Sequence, residues 1–256
     1  MRFDDLDARM RIFETAHDHR VLPGMYMVAR VDGRGFTRLT KERHDFEAPF
    51  DVRFRDLMVA TTRHLMEETG PRMVYGYTES DEISVLLHPA DDGFGRKLRK
   101  LVSILAGEAS AKLTHLLGDL AVFDGRISQL PTAALVVDYF RWRHEDAHRN
   151  ALNAHCYWML RREGHSAREA TAVAEGRTVA EKNELLLSRG INFNELPAWQ
   201  RRGVGVVWES YDKVGQDPRT GEPTVATRRR LSTRLELPMG EAYSRFVAGL
   251  VPAIES

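Results

Sequence analysis

The residues best suited to chemistry stand in two short runs, Val31-Asp32-Gly33-Arg34-Gly35-Phe36 and Glu79-Ser80-Asp81-Glu82. Asp32, Asp81 and Glu82 are hard oxygen donors. Carboxylates crowded together repel one another unless a cation neutralises them. Mg²⁺ suits such a set, because it binds through a few carboxylates and brings substrate phosphates with it. Two cations held ~3.5–4 Å apart activate a hydroxyl and steady a leaving phosphate. Gly33 and Gly35 let backbone atoms approach a ligand closely. A further pattern, His144-Glu145-Asp146-Ala147-His148, matches the H-E-x-x-H zinc motif. The charge of Asp146 inside it, the flanking Arg141, Arg143 and Arg149, and the want of a third ligand argue against zinc. That segment reads instead as polar helix facing a ligand or solvent.

The elements around these runs are readable. Met25, Met27, Ala29 and Val31 alternate with Tyr26, Val28 and Arg30, which predicts a strand ending at Asp32. Met73–Tyr77 and Ile83–Leu87 predict two more strands, with a hairpin turn over residues 78–81. An amphipathic helix is expected over residues 4–17 on Leu6, Met10 and Phe13. A helix runs from Pro49 and Asp51 to about Glu68, and a long one from about Arg96 to Leu117, ended by Gly118. Ala121–Ile127 predicts a fourth strand.

The order β-α-β-β-α-β is the ferredoxin-like, split βαβ pattern. It places strand three between strands one and two and brings Asp32 to Asp81. The fold class read from the sequence is therefore α+β: a ferredoxin-like antiparallel sheet of polymerase-palm type with helices. A mainly helical second half comes after it. Leu135–Trp142 and Ala147–Glu163 are helical in pattern, and Ser166 with Glu169, and Thr178 with Glu181, predict capping boxes. Val204–Trp208 and Val225–Leu237 predict strands around the turn-rich 217–221, and a last helix is expected near Glu241–Leu250. With no Pro/Gly/Ser-rich linker, residues 1–135 form a palm-like catalytic region on which residues 136–256 pack as part of one integrated domain.

Composition narrows the classes. The 256 residues carry 37 Lys+Arg against 37 Asp+Glu, which argues against a uniformly basic nucleic-acid coat but leaves room for basic patches. Such patches are the clumps at Arg96/Lys97/Arg99/Lys100, Arg141/Arg143, Arg161/Arg162, Arg201/Arg202 and Arg228/Arg229/Arg230, which together can track an RNA backbone. The single cysteine, Cys156, excludes an intrachain disulfide and reads as a buried thiol in a reducing compartment. Without a signal peptide or a long apolar run, a cytoplasmic protein with no membrane partner is expected.

Taken together, the runs VDGRGF (31–36), YTESDEIS (77–84), FDGR (123–126), WRHEDAHRNALN (142–153), AEKNELL (180–186) and INFNELPAWQRRG (191–203) resemble the tRNA-histidine guanylyltransferase family, including its bacterial and archaeal 3′-to-5′ polymerase members. The resemblance implies a palm-like sheet and two Mg²⁺ ions on Asp32, Asp81 and the Gly33 carbonyl. It implies that Asp32, Gly33, Arg34, Gly35, Phe36, Thr37, Ser80 and Asp81 hold the incoming nucleotide, normally GTP. His148 and Asn150, beside Asp146, match the run after the tryptophan-arginine pair, and Lys182-Asn183 match the lysine-asparagine pair, as further nucleotide-binding residues. Glu82 sits beside the ligands as a third catalytic acid. The chain departs from the family in two places. Asn153-Ala154 stands where Tyr-Asn is common, and Ala48 where eukaryotic members often carry lysine, so Lys41 or Arg43 is the candidate to supply that charge.

The expectation is thus a Mg²⁺-dependent nucleotidyltransferase that uses ATP to activate the 5′ end of tRNA and then adds GTP there, in tRNA-His guanylylation or 5′-end repair. Its partners would be tRNA and nucleoside triphosphates, and by family resemblance it would be a homo-oligomer, a tetramer. Two other readings stand beside it. One is a non-catalytic RNA-binding module on the same fold, which would stack bases on strand aromatics. The other is a palm-fold nucleotide cyclase.

Overall fold

The alternation in the first strand divides the molecule into two packed layers. In the computed structural model, which describes residues 2–216, 219 and 222–254, β1 (Tyr26–Gly33) turns Met27, Ala29 and Val31 to one face and Tyr26 and Val28 to the other. All five are buried. β2 (Met73–Glu79) and β3 (Glu82–Leu87) are buried almost throughout, since helices cover the sheet on both sides. β3 lies between β1 and β2 and pairs antiparallel with each. β4 (Phe123–Leu130) pairs with the outer side of β1. The result is a mixed α/β fold on a six-stranded sheet of order β4-β1-β3-β2-β5-β6, with every pairing antiparallel.

On one face pack α3 (Val52–Glu68), capped by Asp51, and α4 (Leu98–Leu117), whose Leu101, Leu105, Ala109 and Leu113 form the expected stripe. Gly118 ends α4 at φ 72°, a left-handed conformation that favours glycine. On the other face lies α5 (Ala133–Arg162). The sequence suggested two helices here, broken at the polar stretch 143–146. The structure has one of 30 residues. The break is absent because Arg143, His144 and Asp146 each find partners on the inner side, so their polarity does not force the chain out of the helix. The first half of α5 packs on the sheet with α9 (Gly240–Ala248) through Val136, Phe140, Tyr243 and Val247. Its second half packs away from the sheet, on α6 (Ala167–Ala174) and α7 (Val179–Leu187), through Leu152, Cys156, Leu160 and Leu186. Both predicted capping boxes are formed.

Other boundaries moved. α1 (Phe3–Thr15) buries none of its residues, and Phe3, Ile12 and Phe13 are exposed. β4 begins and ends later than expected. The closing hairpin is part of the main sheet: β5 (Val204–Gln216) pairs with β2 through Val204–Val207 and then runs on with β6 (Pro223–Arg234). The polar stretch Glu209–Gln216 had no apolar alternation to mark it as a strand; its pairing with β6 extends it. The turn expected at 217–221 lies, Arg219 apart, outside the described residues. Among the described residues no helix is long and apolar enough to cross a membrane.

Candidate functional site

The two acidic runs meet because of strand register. Asp32, near the end of β1, stands directly opposite Glu82, the first residue of β3. β2 and β3 are joined by the two-residue turn Ser80-Asp81 inside the Glu79–Glu82 pair, and Ser80 takes a left-handed φ of 50° there. The Gly33 amide donates to the Asp81 carbonyl at 3.0 Å, tying the glycine loop to this turn. The Arg34 amide donates to the Val122 carbonyl at 2.8 Å and ties the same loop to β4. A Cβ on Gly33 would lie 2.5 Å from the Phe36 ring, so only glycine lets the loop close over that side chain. Phe36 is buried against Phe54 and Phe123 and anchors α2 (Phe36–Arg38). After α2 the helix widens into a π-helical turn over Leu39–Arg43, a feature common at functional sites.

Beside these loops opens a pocket of about 460 Å³. Its lining combines the carboxylates of Asp32, Glu79, Asp81 and Glu82 with the aromatic side chains of Phe46, Phe50, Phe54, Trp158 and Trp199. Burial pushes the Asp81 carboxyl up to about 6, and the nearby charge of Asp32 adds to it. Glu79 is pushed up to about 8, by burial first and then by Glu82 and Asp81. These acids want a cation. Asp32, Asp81 and the adjacent Gly33 carbonyl are hard oxygen donors that suit an ion which keeps some of its own waters. Among the described residues, no three His, Cys, Asp or Glu side chains form a ready-made cage. The donor set therefore fits a metal that substrate phosphates help to hold.

Glu82 is used differently. Arg143 on α5 donates to its two oxygens at 2.8 and 2.7 Å, and Arg30 on β1 approaches at 3.4 Å. Arg143 also pairs with Asp146 at 3.2 Å. Glu82 thus faces two guanidiniums, which leaves it to position Arg143 at the pocket wall.

The pocket lining brings together Asp32, Phe36, Thr37, Ser80, Asp81, Glu82 and Asn150 from the sequence-expected set. Gly33 lies behind the lining, tied to Asp81. Arg34 and Gly35 line a separate hollow of about 200 Å³ with Arg38 and Arg43. His148, Lys182 and Asn183 are not in the lining. His148 packs on Phe193 at 5.3 Å, with Nδ1 buried and without a partner among the described residues. Lys182 and Asn183 sit on α7, where the Lys182 carbonyl accepts from Cys156 and Asn183 donates to the Val179 carbonyl at 2.8 Å. The two imidazoles of the H-E-x-x-H pattern pack on different aromatic side chains. His144 stacks on Tyr243 at 4.0 Å while His148 meets Phe193. Burial pushes His144 down to about 4.

Sequence reasoning placed Glu79 in its acidic run without giving it a role, and it missed Asp51, Arg55 and most of the aromatic lining as site residues. The one available signal was Phe46, Phe50 and Phe54 at four-residue intervals around Asp51. Of the two cations near Ala48, Lys41 lines the pocket. Arg43 points outward and pairs with Asp119.

Comparison with known proteins gives the family. The family description "tRNAHis guanylyltransferase" matches residues 7–131, and "Thg1 C terminal domain" matches residues 134–237. The tRNA(His) guanylyltransferase of Schizosaccharomyces pombe is 35% identical over 211 residues, covering 76% of this chain and 80% of that protein. That of Neurospora crassa is 34% identical, covering 76% and 70%. A bacterial tRNA(His) guanylyltransferase-like protein solved in complex with GTP superposes with a TM-score of 0.74 at 26% identity, over 96% of this chain and 98% of that one. A complex with ATP gives the same TM-score and identity, over 96% and 99%. The two family matches together span most of the chain, and it belongs to the tRNA(His) guanylyltransferase family of nucleotidyltransferases.

Proposed function

We propose that this protein adds nucleotides, GTP by preference, to the 5′ end of tRNA in the 3′-to-5′ direction, with Mg²⁺, on a ferredoxin-like palm formed by β4-β1-β3-β2. The observation that carries the reading is the meeting of Asp32 and Asp81 in a pocket whose lining is also rich in aromatic side chains. Flat rings suit a purine and the acids suit metal-bound phosphates, so the lining suits one nucleotide. Structural neighbours solved in complex with GTP and with ATP support nucleoside triphosphates as substrates. Bound there, two Mg²⁺ ions would lower the pKa of an attacking hydroxyl and neutralise a triphosphate.

The chain's own residues bind and orient. Asp32, Asp81 and the Gly33 carbonyl would supply oxygens to hold the metals. Phe36 and Thr37 of the glycine loop line the pocket with Ser80 and would hold the triphosphate, while Arg34 and Gly35 line the neighbouring hollow. Asn150 on α5 lines the pocket wall, with its amide nitrogen donating to Asp146 at 3.2 Å. In the first step the tRNA 5′-phosphate attacks the α-phosphorus of ATP and releases pyrophosphate. In the second, the 3′-hydroxyl of GTP attacks the activated 5′-phosphate and releases AMP. Alignment of hydroxyl and phosphate is the main contribution asked of such a site. Direction then depends on how the tRNA docks, for which the arginine clumps are the candidates. Guanylylation of tRNA-His and repair of truncated 5′ ends share this chemistry, in a cytoplasmic homo-oligomer, a tetramer by family resemblance.

The RNA-binding-module alternative finds no support in the sheet. Tyr26 is buried and helices cover both faces of β1 and β3, so no open platform for stacking bases exists there. The test uses 5′-labelled tRNA lacking its first nucleotide, with ATP, GTP and Mg²⁺. Product longer by one nucleotide at the 5′ end supports the reading, and extension only at the 3′ end, or none with any nucleotide, refutes it.

A further inference from the structure

Three cations line the pocket, and two are committed. Arg143 is bound to Glu82 and Asp146. Arg55 pairs with Asp56 at 2.7 Å and stacks over the Trp199 ring at 4.7 Å. Lys41 alone has no carboxylate partner among the described residues. Its ammonium donates to the Glu47 carbonyl at 2.8 Å and reaches the Pro49 carbonyl only at 3.5 Å. It lies over the Trp158 ring at 5.9 Å. An ammonium has three hydrogens to donate, so at least one remains for a ligand. The π-helical turn Leu39–Arg43 is what aims this side chain inward.

Its place within the pocket decides its task. The charges acting on Lys41 are Asp51 and Glu47, whereas those acting on Asp81 are Asp32 and Glu82. Its contacts are with the Glu47 and Pro49 carbonyls and the Trp158 ring, which sets Lys41 among the aromatic side chains of the lining. With phosphates at the acids, the group that reaches Lys41 is the base.

We propose that Lys41 selects guanine, by donating from its ammonium to O6 of a purine held among the aromatic side chains of the pocket. This rests on the proposed function, in which the pocket takes a nucleoside triphosphate with its phosphates at Asp32 and Asp81. Guanine offers acceptors at both O6 and N7, while adenine offers N7 beside an N6 amino donor. An ammonium facing that amino group meets a donor where it needs an acceptor. The opposite edge of the base is less able to discriminate through Asp51, because both Asp51 oxygens already accept hydrogen bonds. Those come from the Arg53 amide and guanidinium and from the Glu47 amide, at 2.6 to 3.1 Å. Lys41 is thus a specificity-determining residue that the pocket supplies from the turn after its glycine loop.

The test is equilibrium binding by calorimetry, in Mg²⁺, of GTP, ATP and 2-aminopurine riboside triphosphate, which keeps N7 and the 2-amino group but lacks O6. Wild-type protein is expected to bind GTP roughly tenfold or more tightly than either of the others, the size of one well-made base contact. Lys41→Met should weaken GTP by about that factor and leave the other two within about twofold, and Lys41→Arg should keep the preference. The analogue lacks N1–H as well as O6, so equal wild-type affinity for it rules out the O6 contact without any variant, and Lys41→Met with Lys41→Arg assigns a preference to the lysine. Equal wild-type affinity for GTP and the O6-lacking analogue overturns the assignment. So does a Lys41→Met variant that loses all three ligands alike, since Lys41 would then be holding phosphate. Binding of none of the three by wild-type protein overturns the reading of the pocket itself.

Discussion

Arg143 of α5 grips both oxygens of Glu82 on β3, at 2.8 and 2.7 Å, with both side chains almost wholly out of solvent. This pair joins the sheet edge that carries the acids to the helix that walls the pocket. Removing one partner of a buried pair leaves the other charge without compensation and costs about 3–5 kcal/mol. Glu82→Gln should therefore lower unfolding free energy by about that much and depress activity, because Arg143 and Arg30 lose their shared carboxylate. Urea denaturation measures it. In a double-mutant cycle, Glu82→Gln with Arg143→Met should cost less than the two changes added. A loss below about 1 kcal/mol for Glu82→Gln would show that the pair is solvated.

Asp32 and Asp81 should behave in the opposite way. Their charges are crowded, so replacing either by alanine is expected to abolish nucleotide addition while leaving the metal-free fold as stable as before or slightly more so. Activity assays and melting temperatures in chelator check both halves. Wild-type activity in either variant would remove these residues from the catalytic role proposed for them.

Much of this arrangement is legible in the sequence, and the reasons differ by element. β1 declares itself because both of its faces bury apolar side chains in strict alternation. The meeting of Asp32 with Asp81 comes from strand order alone. The continuity of α5 is hidden, since Arg143, His144 and Asp146 look like a helix break until Glu82 on β3 is seen to meet Arg143, Tyr243 on α9 to stack on His144, and Arg143 and Arg149 of the same helix to pair with Asp146. β5 beyond Trp208 is hidden because its strand character comes from pairing with β6 and not from burial. The aromatic lining of the pocket is least legible: Phe46, Phe50, Trp158 and Trp199 come from separate segments that only the tertiary fold assembles.

The buried histidines predict a pH dependence. Burial holds His144 at about 4 in the folded chain, below the ordinary 6.5, and His155 is likewise held at about 4. Above 6.5 folded and unfolded chains are both neutral at these sites, and stability is complete. As pH falls from 6.5 toward 4, the unfolded chain takes up protons that the folded chain refuses, so stability drops, by on the order of 2–3 kcal/mol per histidine. His144→Phe keeps a ring against Tyr243 and removes one such site. Its stability should fall less over that window, and chemical denaturation at a series of pH values would read an unchanged slope as a failure of this prediction.

The H-E-x-x-H pattern should hold no zinc. His144 and His148 lie one helical turn apart yet turn to Tyr243 and to Phe193 respectively. Elemental analysis of purified protein is expected to find zinc far below one equivalent. Stoichiometric zinc that disappears in His148→Ala would prove the opposite.

α5 also sets a rule about length. One unbroken helix supplies Arg143 for the acidic strand, Asn150 and Trp158 for the pocket wall, and Leu160 for the cluster with α7. Each residue added to a helix advances its C-terminal remainder by ~1.5 Å and turns it by about 100°. A single insertion between Arg143 and Asn150 would swing Trp158 away from the pocket and Leu160 away from its cluster in the same stroke. The loops of this enzyme can drift in length, but along α5 the spacing is a fixed count, and substitution is the only kind of change open to it.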